Sequence, residues 1–200
     1  MFDRFRIVMI ATVLLMVAVT IAQAEESGKR DRTQQRPSME RVSIELDRID
    51  VGDGDTVVIL WGDDDRERVR ILGIDTPEVA HPNFGQPYDQ FYGPEAAAFA
   101  AGVFAAANKV ELLRAAETDG YGRTLGYFFV NGRNYSVMAV AAGYAAESVT
   151  HYGDNGFPEE SEEVLAASRK VGPVVFEAPY LFRKRMREVK EWGSKDGEEH

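Results

Sequence analysis

The chain has 200 residues, 44% of them hydrophobic and 28% charged, which is enough for one ordinary domain with a real core and too few for two large ones. Its net charge of −10 excludes long-range attraction to a polyanion, so any such partner needs a local basic site or a bound cation. With no cysteine there is no disulfide, and stability must come from packing, with or without a bound ion.

Residues 1–24 stand apart from the rest. A weakly positive start ("MFDRFR"), an apolar run over residues 7–21 and an A-x-A triplet at 22–24 have the layout of a cleaved secretory signal peptide. The rival reading is an uncleaved membrane anchor. The run is short of the roughly 18 apolar residues a spanning helix wants, which favours cleavage. The expected location is therefore outside the cytoplasm, periplasmic or secreted. Residues 25–40 are mostly polar, lack apolar periodicity and read as a flexible linker.

A domain is expected over residues 41–172. Residues 41–49 ("RVSIELDRI") put Val42, Ile44 and Leu46 on one face of a strand. "DGDTVVILW" is a second strand opening from a turn, and "GDDDRE" a hairpin turn into a third, "RVRILGI". The acids Asp63, Asp64 and Asp65 read as a solvated turn. "HPNFGQPYDQFYG" is an ordered loop. Residues 93–108 begin with Pro94 and Glu95 and predict a helix with Phe99 and Phe104 facing the core. "KVELLRA" is a fourth strand, and "TLGYFFVNGRNYS" holds another, with a turn at Asn131 and Gly132. "SVMAVAAGYAA" predicts a helix capped by Ser136, and "FPEESEEVLAASRKVG" a third helix ending before Gly172. Short strands with helices between and after them suggest a small α+β, OB-like barrel with helical cover. In the tail, residues 173–200, Phe182, Met186, Val189 and Trp192 fall at helical spacing between Arg183, Lys184, Arg185, Arg187 and Lys190. That is a basic amphipathic helix, either docked by its apolar stripe or facing a polyanion or an anionic membrane.

Charge concentrates around "RILGIDTPE". Asp55 enters the second strand, Asp75 and Glu78 follow the third, and Thr76 is held extended by Pro77. Two carboxylates and the Thr76 carbonyl, completed by water, suit a hard cation such as Ca²⁺, although each short polar motif by itself reads by default as a turn. Arg70 and Arg123 with a cation make a set suited to a phosphodiester, and Glu78 can accept a proton from water or orient it. Arg70 and Asp75 are an odd number of positions apart, so both reach one site only if the strand breaks register; Gly73 is the expected bend.

"DGDTVVIL", "VRILGIDTPE", "YGPEAAAF" and "DGYGRTLGY", in that order, resemble the staphylococcal nuclease (thermonuclease) family over about residues 41–170. The resemblance implies a five-stranded OB-fold β-barrel with three helices, here with an extra C-terminal helix, and Ca²⁺-dependent hydrolysis of DNA and RNA to 3′-phosphate ends. It implies Asp55, Asp75 and the Thr76 carbonyl as metal ligands, Glu78 as general base or water-orienting group, and Arg70 and Arg123 on the phosphate. The loop after Glu78 lacks the founding member's lysines, and Val149 and His151, or Tyr152, stand where it has a pair of tyrosines. No stable protein partner is implied, and a monomer suffices. The alternatives are a catalytically weak or inactive barrel that binds nucleic acid or protein, and an envelope protein held by an uncleaved N-terminus.

Overall fold

The computed structural model describes residues 32–196; the expected signal peptide, residues 25–31 of the expected linker, the last four residues and the side chains of Phe84 and of residues from 190 onward lie outside the description. The chain divides into two compact units, Met1–Arg32 and Thr33–His200, and every strand and helix among the described residues belongs to the second. Among the described residues no helix is long and apolar enough to cross a membrane.

The expected first strand is broken in two. β1 covers Arg41–Ile44, a 3₁₀ turn covers Leu46–Arg48, and β2 covers Ile49–Val51. Leu46, placed by its alternation on one strand face with Val42 and Ile44, lies in the 3₁₀ turn and is exposed. The reason lies in the topology. With β3 (Thr56–Leu60), β4 (Arg66–Ile71), β6 (Val110–Thr118) and β7 (Thr124–Val130), the main sheet runs β1-β6-β7-β4-β3-β2. Consecutive β1 and β2 therefore sit at its two ends. Six strands laid flat would separate those ends by about 24 Å. The five steps from Ile44 to Ile49 reach at most about 18 Å. The sheet must curl until its ends approach, giving a half-barrel of the OB type, and a straight strand could not make that crossing.

β3 and β4 form the expected hairpin, and β6 and β7 a second. The parallel pairing of β4 with β7, Val69 opposite Thr124, joins the two. Asn131 and Gly132 both have positive φ, as a two-residue hairpin turn requires, and lead into β8 (Arg133–Asn134). Inward positions alternate along the strands, with Val57, Ile59, Val69, Ile71, Val110, Leu112 and Phe128 fully buried. Helices α1 (Gly93–Ala105), α2 (Tyr135–Ala141) and α4 (Pro158–Val171) cover this core with Phe104, Tyr135 and Val164, while Phe99 is partly buried against it.

The second helix departs from expectation at both ends. Its N-cap is Asn134, whose side chain accepts from Ser136 N–H; the Ser136 hydroxyl instead donates to the Leu72 carbonyl. It stops at Ala141, before Gly143 at φ 78°, and the residues beyond form β9 (Ala146–Glu147), paired with β5 (Ile74–Asp75). A short α3 (Val149–Tyr152) follows, and α5 (Pro179–Asp196) forms the tail helix. Beneath the sheet lies a buried ion pair. Arg114 donates Nε to Glu67 Oε1 at 2.7 Å and Nη2 to Oε2 at 2.9 Å, and Trp61 and Thr124 also donate to Glu67.

Candidate active site

Three glycines let the acidic segments meet. At Gly54 a Cβ would lie 2.7 Å from Thr76 Oγ1, so the loop before β3 sits directly on the segment after β5. Tyr135 Oη donates to the Gly54 carbonyl at 2.7 Å and pins that loop. Gly73 has φ 79°, and its Cβ would lie 2.9 Å from Tyr127 Oη. Here the chain leaves β4 and turns into β5, which supplies the register break expected between Arg70 and Asp75. Gly93, the first residue of α1, lies so close to the Glu78 carbonyl that a side chain there would collide with it.

The turn brings Arg70 between the two aspartates. Its Nη1 lies 2.5 Å from Asp55 Oδ2 and its Nη2 2.8 Å from Asp75 Oδ1. Asp55 Oδ2 also accepts from Thr76 N–H at 3.0 Å. Asp55, Asp75 and Thr76 are buried, and Thr76 follows the end of the two-residue β5 ladder. Burial opposes the Arg70 charge, but Asp55, Asp75 and Asp53 together outweigh it and hold the guanidinium more firmly protonated. Glu78 is placed by Gln90: its N–H donates to Gln90 Oε1, and its carbonyl accepts from Gln90 N–H. The Glu78 Oε2 atom accepts from Gln86 at 3.3 Å.

Arg123 stands off from this group. Its Nε is bound to Asp119 Oδ2 at 2.7 Å within the β6–β7 turn. Burial would raise the Asp119 pKa, but hydrogen bonds from Arg123 and its charge win and lower it. Leu125 lies opposite Arg70 in the parallel pair. Carrying the β7 register back two positions puts Arg123 on the same outward face, about 8 Å from Arg70 at the backbone.

Of the positions left open for substrate contact, Val149 is buried and belongs to the core. His151 is exposed, lies edge-on to Tyr152 and stacks on Tyr180 of the tail with ring planes 8° apart.

Sequence reasoning missed four residues. Arg183, from α5, donates Nη1 to Asp75 Oδ1 at 3.1 Å and Nη2 to Asp75 Oδ2 at 3.1 Å, and its Nη1 also bonds Glu78 Oε1. Nothing local marked it, since it was one of five basic residues on the tail. Asp53, the first acid of "DGDT", has its pKa pushed up to about 7 by burial and then by the Asp55 charge. Its place two residues before Asp55 was the available signal. Gln86 and Gln90 lie in a loop whose polar residues carried no periodicity to read.

The donors fit a hard cation in kind. Two aspartates from different segments present oxygen ligands next to Thr76, whose N–H bonds Asp55, and the pocket already concentrates two guanidiniums on those acids. Among the described residues, no group of three or more acid or imidazole side chains is placed to hold a metal ion, so carbonyl and water would have to complete the shell.

A curled α+β barrel with acids and arginines gathered at the β4–β5 turn is an OB-type domain built to handle concentrated charge. The family model described as Staphylococcal nuclease homologue matches residues 68–171, and the chain belongs to that family.

Proposed function

We propose that the chain is an exported, Ca²⁺-dependent phosphodiesterase that hydrolyses DNA, RNA or both and leaves 3′-phosphate ends. Membership of a family of nucleases supports the reaction class. The observation that carries the site is the Arg70 guanidinium bridging Asp55 and Asp75, with Glu78 engaged by the same cluster. Export is supported by the layout of residues 1–24.

In this reading Asp55, Asp75 and the Thr76 carbonyl would hold the ion, which supplies positive charge beside a phosphate oxygen. Glu78 orients water and takes its proton. Arg70 holds a phosphate oxygen and stabilises the charge that grows during displacement. Arg123 does the same after exchanging Asp119 for phosphate, from its neighbouring position on the same face.

A second reading, a binding module without catalysis, has one observation in its favour: Asp55, Asp75 and Glu78 are all already paired with arginines. Cleavage of single-stranded DNA and of RNA by the full chain, with Ca²⁺ and with a chelator, separates the two. Calcium-dependent cutting that falls by a factor of about 10² or more in Glu78→Ala and Arg123→Ala supports the nuclease. No cutting by the folded wild-type chain refutes it and favours the binding module.

A further inference from the structure

We propose that Arg183 is a built-in counter-cation that competes with a divalent cation for Asp75 and Glu78, making the docked helix α5 a latch on the site. The inference rests on the nuclease reading for its cation, and goes beyond it in assigning the tail a regulatory role.

The contact is specific. The two terminal nitrogens of Arg183 take the two oxygens of Asp75, one each, and Nη1 also takes an oxygen of Glu78. Asp75 Oδ1 serves Arg70 as well. A carboxylate offers about four acceptor positions, and these bonds use three of those on Asp75. A hard cation would need the same oxygens at about 2.3–2.6 Å, with the guanidinium's charge pressed against its own. At the Glu78 oxygen that Arg183 holds, one of the two lone pairs is already taken and the guanidinium crowds the approach of a water. One side chain therefore obstructs both roles, the ligand and the base.

The docking is built into the fold. Phe182 and Met186 are buried on either side of Arg183 in sequence. Tyr180 stacks on His151, and Phe176 packs near Tyr92. Gln90 is the tie between the two elements. Its Oε1 accepts from Glu78 N–H, and its Nε2 donates to the Glu177 carbonyl at 2.5 Å. The group that places Glu78 thus also fixes the root of the tail helix.

The same features allow release. The root is anchored at Phe176 and Glu177, whereas Tyr180, Leu181, Lys184, Arg187 and Val189 are exposed. Swinging α5 away forfeits the burial of Phe182 and Met186, the Tyr180–His151 stack and the Arg183 bonds. A cation and a polyanionic substrate together favour that state, since one replaces Arg183 on the acids and the other takes up the freed basic helix. Apparent cation affinity is then lowered by the fraction of chains in which the latch is closed.

Calorimetric titration of the full chain with Ca²⁺ tests this, using wild type, Arg183→Gln, Arg183→Lys and Asp75→Asn. Arg183→Gln should bind Ca²⁺ about tenfold to a hundredfold more tightly than wild type, the range expected on removing one competing charged pair. Arg183→Lys, which keeps the charge but loses the fork, should fall between, and Asp75→Asn should bind weakly. Amide hydrogen exchange in α5 of the wild type should speed up when Ca²⁺ is added. Equal or weaker Ca²⁺ binding by folded Arg183→Gln and Arg183→Lys overturns the latch, as does exchange in α5 that Ca²⁺ leaves unchanged or slows. A parallel cleavage assay separates the two proposals. Tighter binding without cleavage keeps the latch and refutes the nuclease; cleavage with unchanged binding does the reverse; no Ca²⁺ binding by any variant refutes both.

Discussion

Replacing Arg114 by methionine should destabilise the domain severely, although Arg114 lies outside the candidate site. Its side chain is 1% exposed and that of Glu67 is 3% exposed. Besides its two bonds to Glu67, Arg114 donates Nη1 to the Pro37 carbonyl at 3.2 Å. Methionine fills much of the volume but leaves the buried Glu67 charge with Trp61 and Thr124 as neutral donors and the partly exposed Arg36, its Nε 3.5 Å away, as the remaining cation. Breaking a buried pair from one side costs about 3–5 kcal/mol, whereas replacing both partners by apolar groups is often close to neutral. Urea denaturation should therefore show Arg114→Met lower by about 3–5 kcal/mol, and the double variant Glu67→Leu/Arg114→Met should recover more than half of the loss. At about 2–4 °C per kcal/mol for a domain of this size, the single variant's Tm should drop by roughly 6–20 °C. The pH dependence has a definite sign. In the wild type, burial would raise the Glu67 pKa, but bonds from Arg114, Trp61 and Thr124 and the Arg114 charge lower it overall. That stabilisation is present above the ordinary carboxyl pKa of 4.5 and is lost as pH falls toward the lowered folded value. Without Arg114 the buried carboxyl loses the largest part of what holds it ionised, so the variant gains relative stability in acid and the gap between the proteins should narrow there. A loss below about 1 kcal/mol, or single effects that simply add in the double variant, would refute the reasoning.

Two further outcomes concern the loops that build the site. Gly73→Ala forces a Cβ onto φ 79° and to 2.9 Å from Tyr127 Oη, so it should cost about 1–3 kcal/mol in urea denaturation and reduce cleavage by misplacing Asp75; unchanged stability would show that the turn relaxes freely. Asp53 has a folded pKa near 7, above its ordinary 3.8, so its contribution to stability is complete below 3.8 and lost as pH rises through about 7. Asp53→Asn removes this titration, and its Tm relative to wild type should rise between pH of about 4.5 and 7.5; a constant difference would contradict the assigned shift.

Much of the fold was legible because its signals are local. Short apolar runs bounded by turn residues marked β3, β4, β6 and β7, paired glycine and asparagine marked the turn at 131–132, and the acid-to-base gradient with Gly172 marked α4. The clustering of Asp55, Arg70, Asp75 and Glu78 was legible for a related reason: the three that come after Asp55 lie within nine residues of one another, and a single bend at Gly73 brings Arg70 and Asp75 together. The larger failures were long-range. Residues 41–49 alternate like one strand, yet β1 and β2 pair with different partners at opposite ends of the sheet, so closure of the barrel breaks them apart. Ser136 is as good a cap as Asn134, and only the nearby Leu72 carbonyl draws its hydroxyl elsewhere. Arg183 lies 108 residues from Asp75 along the chain. Periodicity says that such a residue is on the polar side of a helix. Which charge it meets depends on where that helix docks, and that was decided by Gln90, Phe182 and Met186 packing in three dimensions.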